Sequence, residues 1–156
     1  MSLPYRRSTL LLAASLPLAV ALAYILYTHS IWEDFLITFR HTENWVTCRG
    51  LVFEPGQRVH GFTSVINTLL PGLPRALGAS MEVSLAFYQV CSLLALGAGS
   101  YALLRTLRSH FGFTRLDIFG VALGVATSVK IIAFSSNGQE GGFLVGFLGL
   151  ALSAGL

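Results

Sequence analysis

Charge is what this chain has least of. Only 11% of its residues are Asp, Glu, Lys or Arg and 54% are hydrophobic, whereas about a quarter of a soluble domain is charged. Too few charges remain to cover a water-facing surface. They are also missing in long blocks: Thr9 to Ile31 and Val83 to Leu104 hold no Asp, Glu, Lys or Arg. Each block is long enough to span a hydrocarbon core of roughly 30 Å, which takes about 20 helical residues. Cysteine is equally scarce. Cys48 lies in a polar stretch and Cys91 in an apolar run, which argues against a disulfide between them and says little about redox compartment. The net charge of +3 comes from small basic clusters at the ends of apolar runs. That is the orientation signal of membrane proteins, not a nucleic-acid footprint. The chain reads as an all-α integral membrane protein whose solvent is the lipid bilayer, with no nucleic-acid partner.

The first apolar run, residues 8–28, follows Arg6 and Arg7. Its small residues also suit a cleaved signal peptide. Against cleavage, the run continues through Tyr24-Ile25-Leu26-Tyr27 and ends in a Tyr and Trp belt that suits an anchored helix. It is taken as the first span, with the amino terminus cytoplasmic. Residues 29–62 hold no uninterrupted apolar run and form an outer loop. The loop begins with a short surface helix carrying Phe35, Phe39 and Trp45 at helical spacings, and breaks at Gly50 and at Pro55-Gly56. Residues 63–80 are apolar but contain Pro71, Gly72 and Pro74. If they crossed, the next span would exit outward and place Arg105, Arg108 and Arg115 outside, against the positive-inside rule. They are therefore expected to lie in the outer interface or to re-enter. Residues 83–104 then run inward, 116–134 return outward, 135–140 form a second outer loop, and 143–156 start back in as an incomplete span. That last run is short of the roughly 20 residues a span needs, so the chain is expected to be the amino-terminal part of a longer protein or a truncated product. Glu33, Asp34 and Glu140 fall on one outer face.

Glu33 and Asp34 follow the first span directly, where a site for a lipid-borne substrate would lie. A carboxylate there can take a proton from an acceptor hydroxyl or bind a divalent cation such as Mg2+, or it can simply end a helix in water. Neighbouring helical residues point about 100° apart, so at most one of the pair faces a given reacting atom. In Gly50 to Thr63, three glycines and a proline surround a charged centre that presents Arg58 and His60. Arg58 can hold a phosphate by paired hydrogen bonds or pair with Glu54. Lys130 near the outer end of a span either binds a phosphate or snorkels to the interface.

The ordered residues Glu33-Asp34-Phe35-Leu36-Ile37-Thr38-Phe39-Arg40, Asn44, Gly50-Leu51-Val52-Phe53, Pro55-Gly56, Arg58-Val59, Gly61 and Thr63 resemble the first outer loop of bacterial polyprenyl-phosphate-dependent glycosyltransferases of the GT-C fold. The likeness is greatest to the terminal arabinofuranosyltransferase group. Gly138-Gln139-Glu140 resembles a glycine-leucine-glutamate at the outer end of a later helix in that group. The resemblance covers only the amino-terminal portion of much longer proteins. Glu33 stands where the family has aspartate, and His60 where an acidic residue is expected.

The resemblance implies a multi-span helical fold in the bacterial inner membrane, with interfacial helices in the first outer loop. It implies transfer of a sugar, a pentofuranose by likeness, from a polyprenyl-phosphate donor to an outer-face glycan or glycoprotein acceptor. Glu33 or Asp34 would act as general base, with the other orienting it or binding substrate. Arg40, Arg58 and Lys130 would contact the lipid phosphate, and Asn44, His60 and Glu140 would complete substrate binding. No cofactor is required by the pattern, and the metal requirement stays open. The competing reading is a small non-catalytic membrane protein, or an inactive fragment that keeps the loop without turnover. A transporter or channel would need ionisable residues within paired spans, and only Lys130 qualifies. The topology predicts that a reporter fused at residue 50 reads as extracytoplasmic; a cytoplasmic reading would overturn both the topology and the site drawn from it.

Overall fold

Blocks without charge become the long helices, because a buried or lipid-facing backbone must satisfy its own hydrogen bonds. In the computed structural model, residues 7–56 and 64–155 are described, and among them every regular element is a helix. α1 is Arg7–Thr28, α2 Glu33–Val46, α3 Val65–Leu69, α4 Gly72–Ala76, α5 Met81–Phe111, α6 Arg115–Thr127, α7 Val129–Ser136 and α8 Gly141–Gly155. Two of them, α1 and α5, are long and apolar enough to cross a membrane, and α6 with α7 makes a third candidate if the bent pair counts as one span.

The ends of these helices follow local chemistry. The Ser80 hydroxyl accepts from the Val83 N–H and starts α5, and Thr114 and Asp117 form a reciprocal capping box that starts α6. The run expected over 83–104 continues as helix to Phe111. The run expected over 116–134 is not straight: Ser128 adopts an extended ψ of 103°, and α7 leaves α6 at 60°. Residues 63–80 hold two helices of five residues each, α3 and α4. At 1.5 Å per residue each is only about 7 to 8 Å long.

α5 is the hub. It packs most extensively on α8, and also on α1, α6 and α7. Apolar attraction is weak between helices that sit in hydrocarbon, so close backbone approach carries the packing. The α5–α8 seam has that character: a Cβ added at Gly142 would collide with the Ser92 carbonyl, and one at Gly149 with the carbonyl of Gly99. Along α1 the interior is layered. Leu10, Ala13 and Ala14 meet Leu104, Ile118 and Ala122 at one end, and Ala21 meets Leu96 and Ile132 further along. A third cluster, Phe35, Phe39 and Leu85, joins α2 to the start of α5.

The glycine seam makes a direct prediction. Gly149→Ala lowers the thermal unfolding midpoint in detergent, by the equivalent of about 1 to 3 kcal/mol of overpacking. Gly120→Ala, whose added Cβ meets nothing within 4 Å, leaves the midpoint unchanged. Equal midpoints for the two variants would contradict the close packing of α5 and α8.

Candidate functional site

α2 is amphipathic in an uncommon way, since much of its buried face is polar. Phe35, Thr38, Phe39 and Thr42 recur at the spacing of one helical face, and His41 and Asn44 are buried beside them. The opposite side exposes Glu33, Leu36 and Arg40. A short helix of this kind keeps its place only if its buried polar groups find partners. Several do: Thr42 donates its hydroxyl to the Thr68 carbonyl of α3, and Arg75 of α4 pairs with Glu43 at 3.2 Å. The Asn44 amide donates to the carbonyls of Val52 and Phe53 at 2.8 and 2.9 Å, which folds the following loop back against α2.

The amino-terminal end of α2 is seated on the turn between α7 and α8. Phe35 is fully buried and lies directly against Gly138, whose φ of +87° admits glycine and whose added Cβ would be 2.6 Å from the Phe35 ring. The Trp32 N–H donates to the Asn137 carbonyl at 3.3 Å, and its indole stands edge-on to Phe134 with ring centres 5.3 Å apart. With its amide oxygen and nitrogen exchanged, Asn137 donates to the Ser30 carbonyl and accepts from the Trp32 indole N–H, the orientation that satisfies both neighbours. From the other side α5 holds the same turn: Gln89 donates to the Ser136 carbonyl at 2.6 Å and Ser92 to the Ser135 carbonyl at 2.9 Å. Those are terminal carbonyls of α7 that the helix itself cannot satisfy.

This seating brings two distant segments together. The Gln139 amide donates to Asp34 Oδ2 at 2.8 Å, and the next residue, Glu140, accepts at Oε2 from the Asn67 amide at 2.9 Å. Asp34 and Glu140 therefore stand at one corner, each with an oxygen held by a side-chain amide. Glu33, the other half of the acidic pair, turns elsewhere. It lies seven residues before Arg40, two helical turns along the same stripe, and both are exposed.

The remaining expected residues are spread more widely. Asn44 is buried and its amide is committed to the loop carbonyls, so it supports the loop from within. Lys130 is exposed in the first turn of α7, just past the bend. Arg58 and His60 lie outside the described residues. Among the described residues no group of three or more His, Cys, Asp or Glu is placed to hold a metal ion. Sequence reasoning gave no role to Gln139, Asn67 or Tyr88. Gln139 lies inside the Gly138-Gln139-Glu140 motif, Asn67 is a lone amide in an apolar stretch, and Tyr88 has the pattern of any aromatic in a span.

The fold and site define a helical protein with two or three helices able to cross a membrane and a polar, carboxylate-bearing corner at one end. No family model, curated protein or solved structure matches the chain.

Gly138 offers a test of the seating. In Gly138→Ala the new Cβ drives Phe35 off the turn, and protease cleavage within residues 33–46 rises several-fold in detergent. Gly78→Ala shares the φ of +87° but meets nothing within 4 Å, and leaves cleavage unchanged. Equal cleavage in both variants would show that α2 does not depend on the turn.

Proposed function

We propose that this chain carries the acidic corner of a GT-C-type membrane glycosyltransferase. In this reading it moves a sugar, a pentofuranose by likeness, from a polyprenyl phosphate to a glycan or glycoprotein on the outer face of a bacterial inner membrane, with the amino terminus cytoplasmic. The observation that supports it is the hydrogen bond from Gln139 to Asp34 across 105 residues of sequence. It joins the acidic pair to the Gly138-Gln139-Glu140 turn, the two segments that resemble that group.

Asp34, steadied at Oδ2 by Gln139, takes the proton of the acceptor hydroxyl through Oδ1 as that oxygen attacks the anomeric carbon. The bond from the anomeric carbon to the phosphate oxygen breaks, and its electron pair leaves with the polyprenyl phosphate. Positive charge develops on the sugar and negative charge on the departing phosphate. In this reading Arg40, Lys130 and Arg58 are the groups that would meet that phosphate and favour its departure electrostatically. Glu33, on the stripe of Arg40, orients that arginine or binds the sugar.

The test is transfer by the longest natural form of the chain from a polyprenyl-phosphate pentose donor. Asp34→Ala is expected to lower kcat by about 10²- to 10⁴-fold, the range typical of a lost general base, and Glu33→Ala by about 10-fold, as for a lost orienting contact. Unchanged turnover in both single variants and in the double variant would sink the general-base assignment. A wild-type chain that transfers nothing would favour the non-catalytic alternative.

A further inference from the structure

We propose that Asn67 and Tyr88 are positioning residues that aim the Glu140 carboxylate at the substrate. The inference rests on the transferase reading above.

Tyr88 is fully buried in α5, and its ring lies between Phe35 of α2, with centres 6.2 Å apart, and Phe143 of α8, at 5.3 Å. A phenol so enclosed needs a partner, and it donates to Oδ1 of Asn67. Asn67 is itself buried. Its backbone is fixed in the first turn of α3, where its N–H donates to the Ser64 hydroxyl at 3.4 Å. The other end of its amide donates to Glu140 Oε2 at 2.9 Å. Three side chains from three separate segments thus form one directed chain, Tyr88 to Asn67 to Glu140.

The direction is forced by the chemistry of the ends. An ionised carboxylate only accepts, so the amide must turn its NH2 toward Glu140 and leave its oxygen for the phenol, which then must donate. The carboxylate already selects that amide orientation, and the phenol, by donating to the remaining amide oxygen, reinforces it. A fully satisfied buried polar chain rigidifies the segments it joins. This one ends on a half-buried carboxylate, whose second oxygen takes no hydrogen bond among the described residues. One residue earlier, Gln139 treats Asp34 in the same way. The corner therefore has two carboxylates, each steadied through one oxygen and, among the described residues, without a hydrogen bond at the other: Asp34 to remove the proton, and Glu140 to hold hydroxyl groups of the sugar or acceptor in line for attack.

Steady-state transfer by the longest natural form tests this with three variants, each checked for an unchanged elution profile. Tyr88→Phe removes one oxygen and keeps the packing, and is expected to lower kcat about 10-fold with KM within about threefold. Asn67→Leu is expected to lower it about 100-fold, and Asn67→Gln, which retains the donor on a longer arm, to recover part of that loss. A residue serving only the fold would give neither the rescue by Gln nor a loss confined to kcat. Wild-type transfer with unchanged kcat in Tyr88→Phe and Asn67→Leu overturns the positioning role and leaves the transferase reading standing. A wild-type chain without transfer overturns the transferase reading and this role with it.

Discussion

The contact on which the rest depends is that of Phe35 with Gly138. At 14 residues α2 is near the length, about 12 to 15 residues, below which isolated helices are marginal in water, and it packs on the bundle through Phe35 and Phe39. Gly138 leaves the space that the Phe35 ring fills, and Trp32, Asn137 and Phe134 fasten the same junction on its flank. Burying an aromatic side chain of this size is worth about 3 to 5 kcal/mol against alanine. That is several times the net worth of a single hydrogen bond. The apolar contact therefore holds α2, and the hydrogen bonds decide how it is turned.

The polar corner sits where it does because of the helix beneath it. The glycine seam lets α8 approach α5 closely, which fixes the start of α8 beside Tyr88 and Ser92. Side chains of α5 then satisfy the last carbonyls of α7, so the α7–α8 turn is held from below by α5 and from the side by α2. α3 and α4 are carried on α2 by Thr42 and by the Glu43–Arg75 pair, which brings Asn67 over Glu140. The carboxylates are thus oriented by elements that are themselves locked together, as a preorganised site requires.

The two long helices were legible as charge-free blocks, and α2 was legible from the spacing of Phe35 and Phe39. The bend at Ser128 was not legible, because α6 and α7 form one continuous apolar run with no proline or glycine at the break. The division of the acidic pair was only half visible. Helical geometry says that Glu33 and Asp34 diverge, but which of them meets the second loop depends on how α2 is rolled onto Gly138. Asn67 and Tyr88 left no local signal, since their meaning comes from three segments brought together by tertiary packing. Asn44 illustrates the converse: a polar residue within a recognisable pattern was assigned to substrate, and the fold commits its amide to the backbone of its own loop.

The account stands or falls on whether Asp34 and Gln139 are neighbours in the protein. With Cys48 and Cys91 replaced by serine, cysteines introduced by Asp34→Cys and Gln139→Cys can be probed with a short bis-maleimide cross-linker in native membranes. The account predicts fast intramolecular cross-linking of this pair, and slow cross-linking when the first cysteine is moved to the opposite stripe of α2 by Leu36→Cys. Equal rates for the two pairs would contradict it.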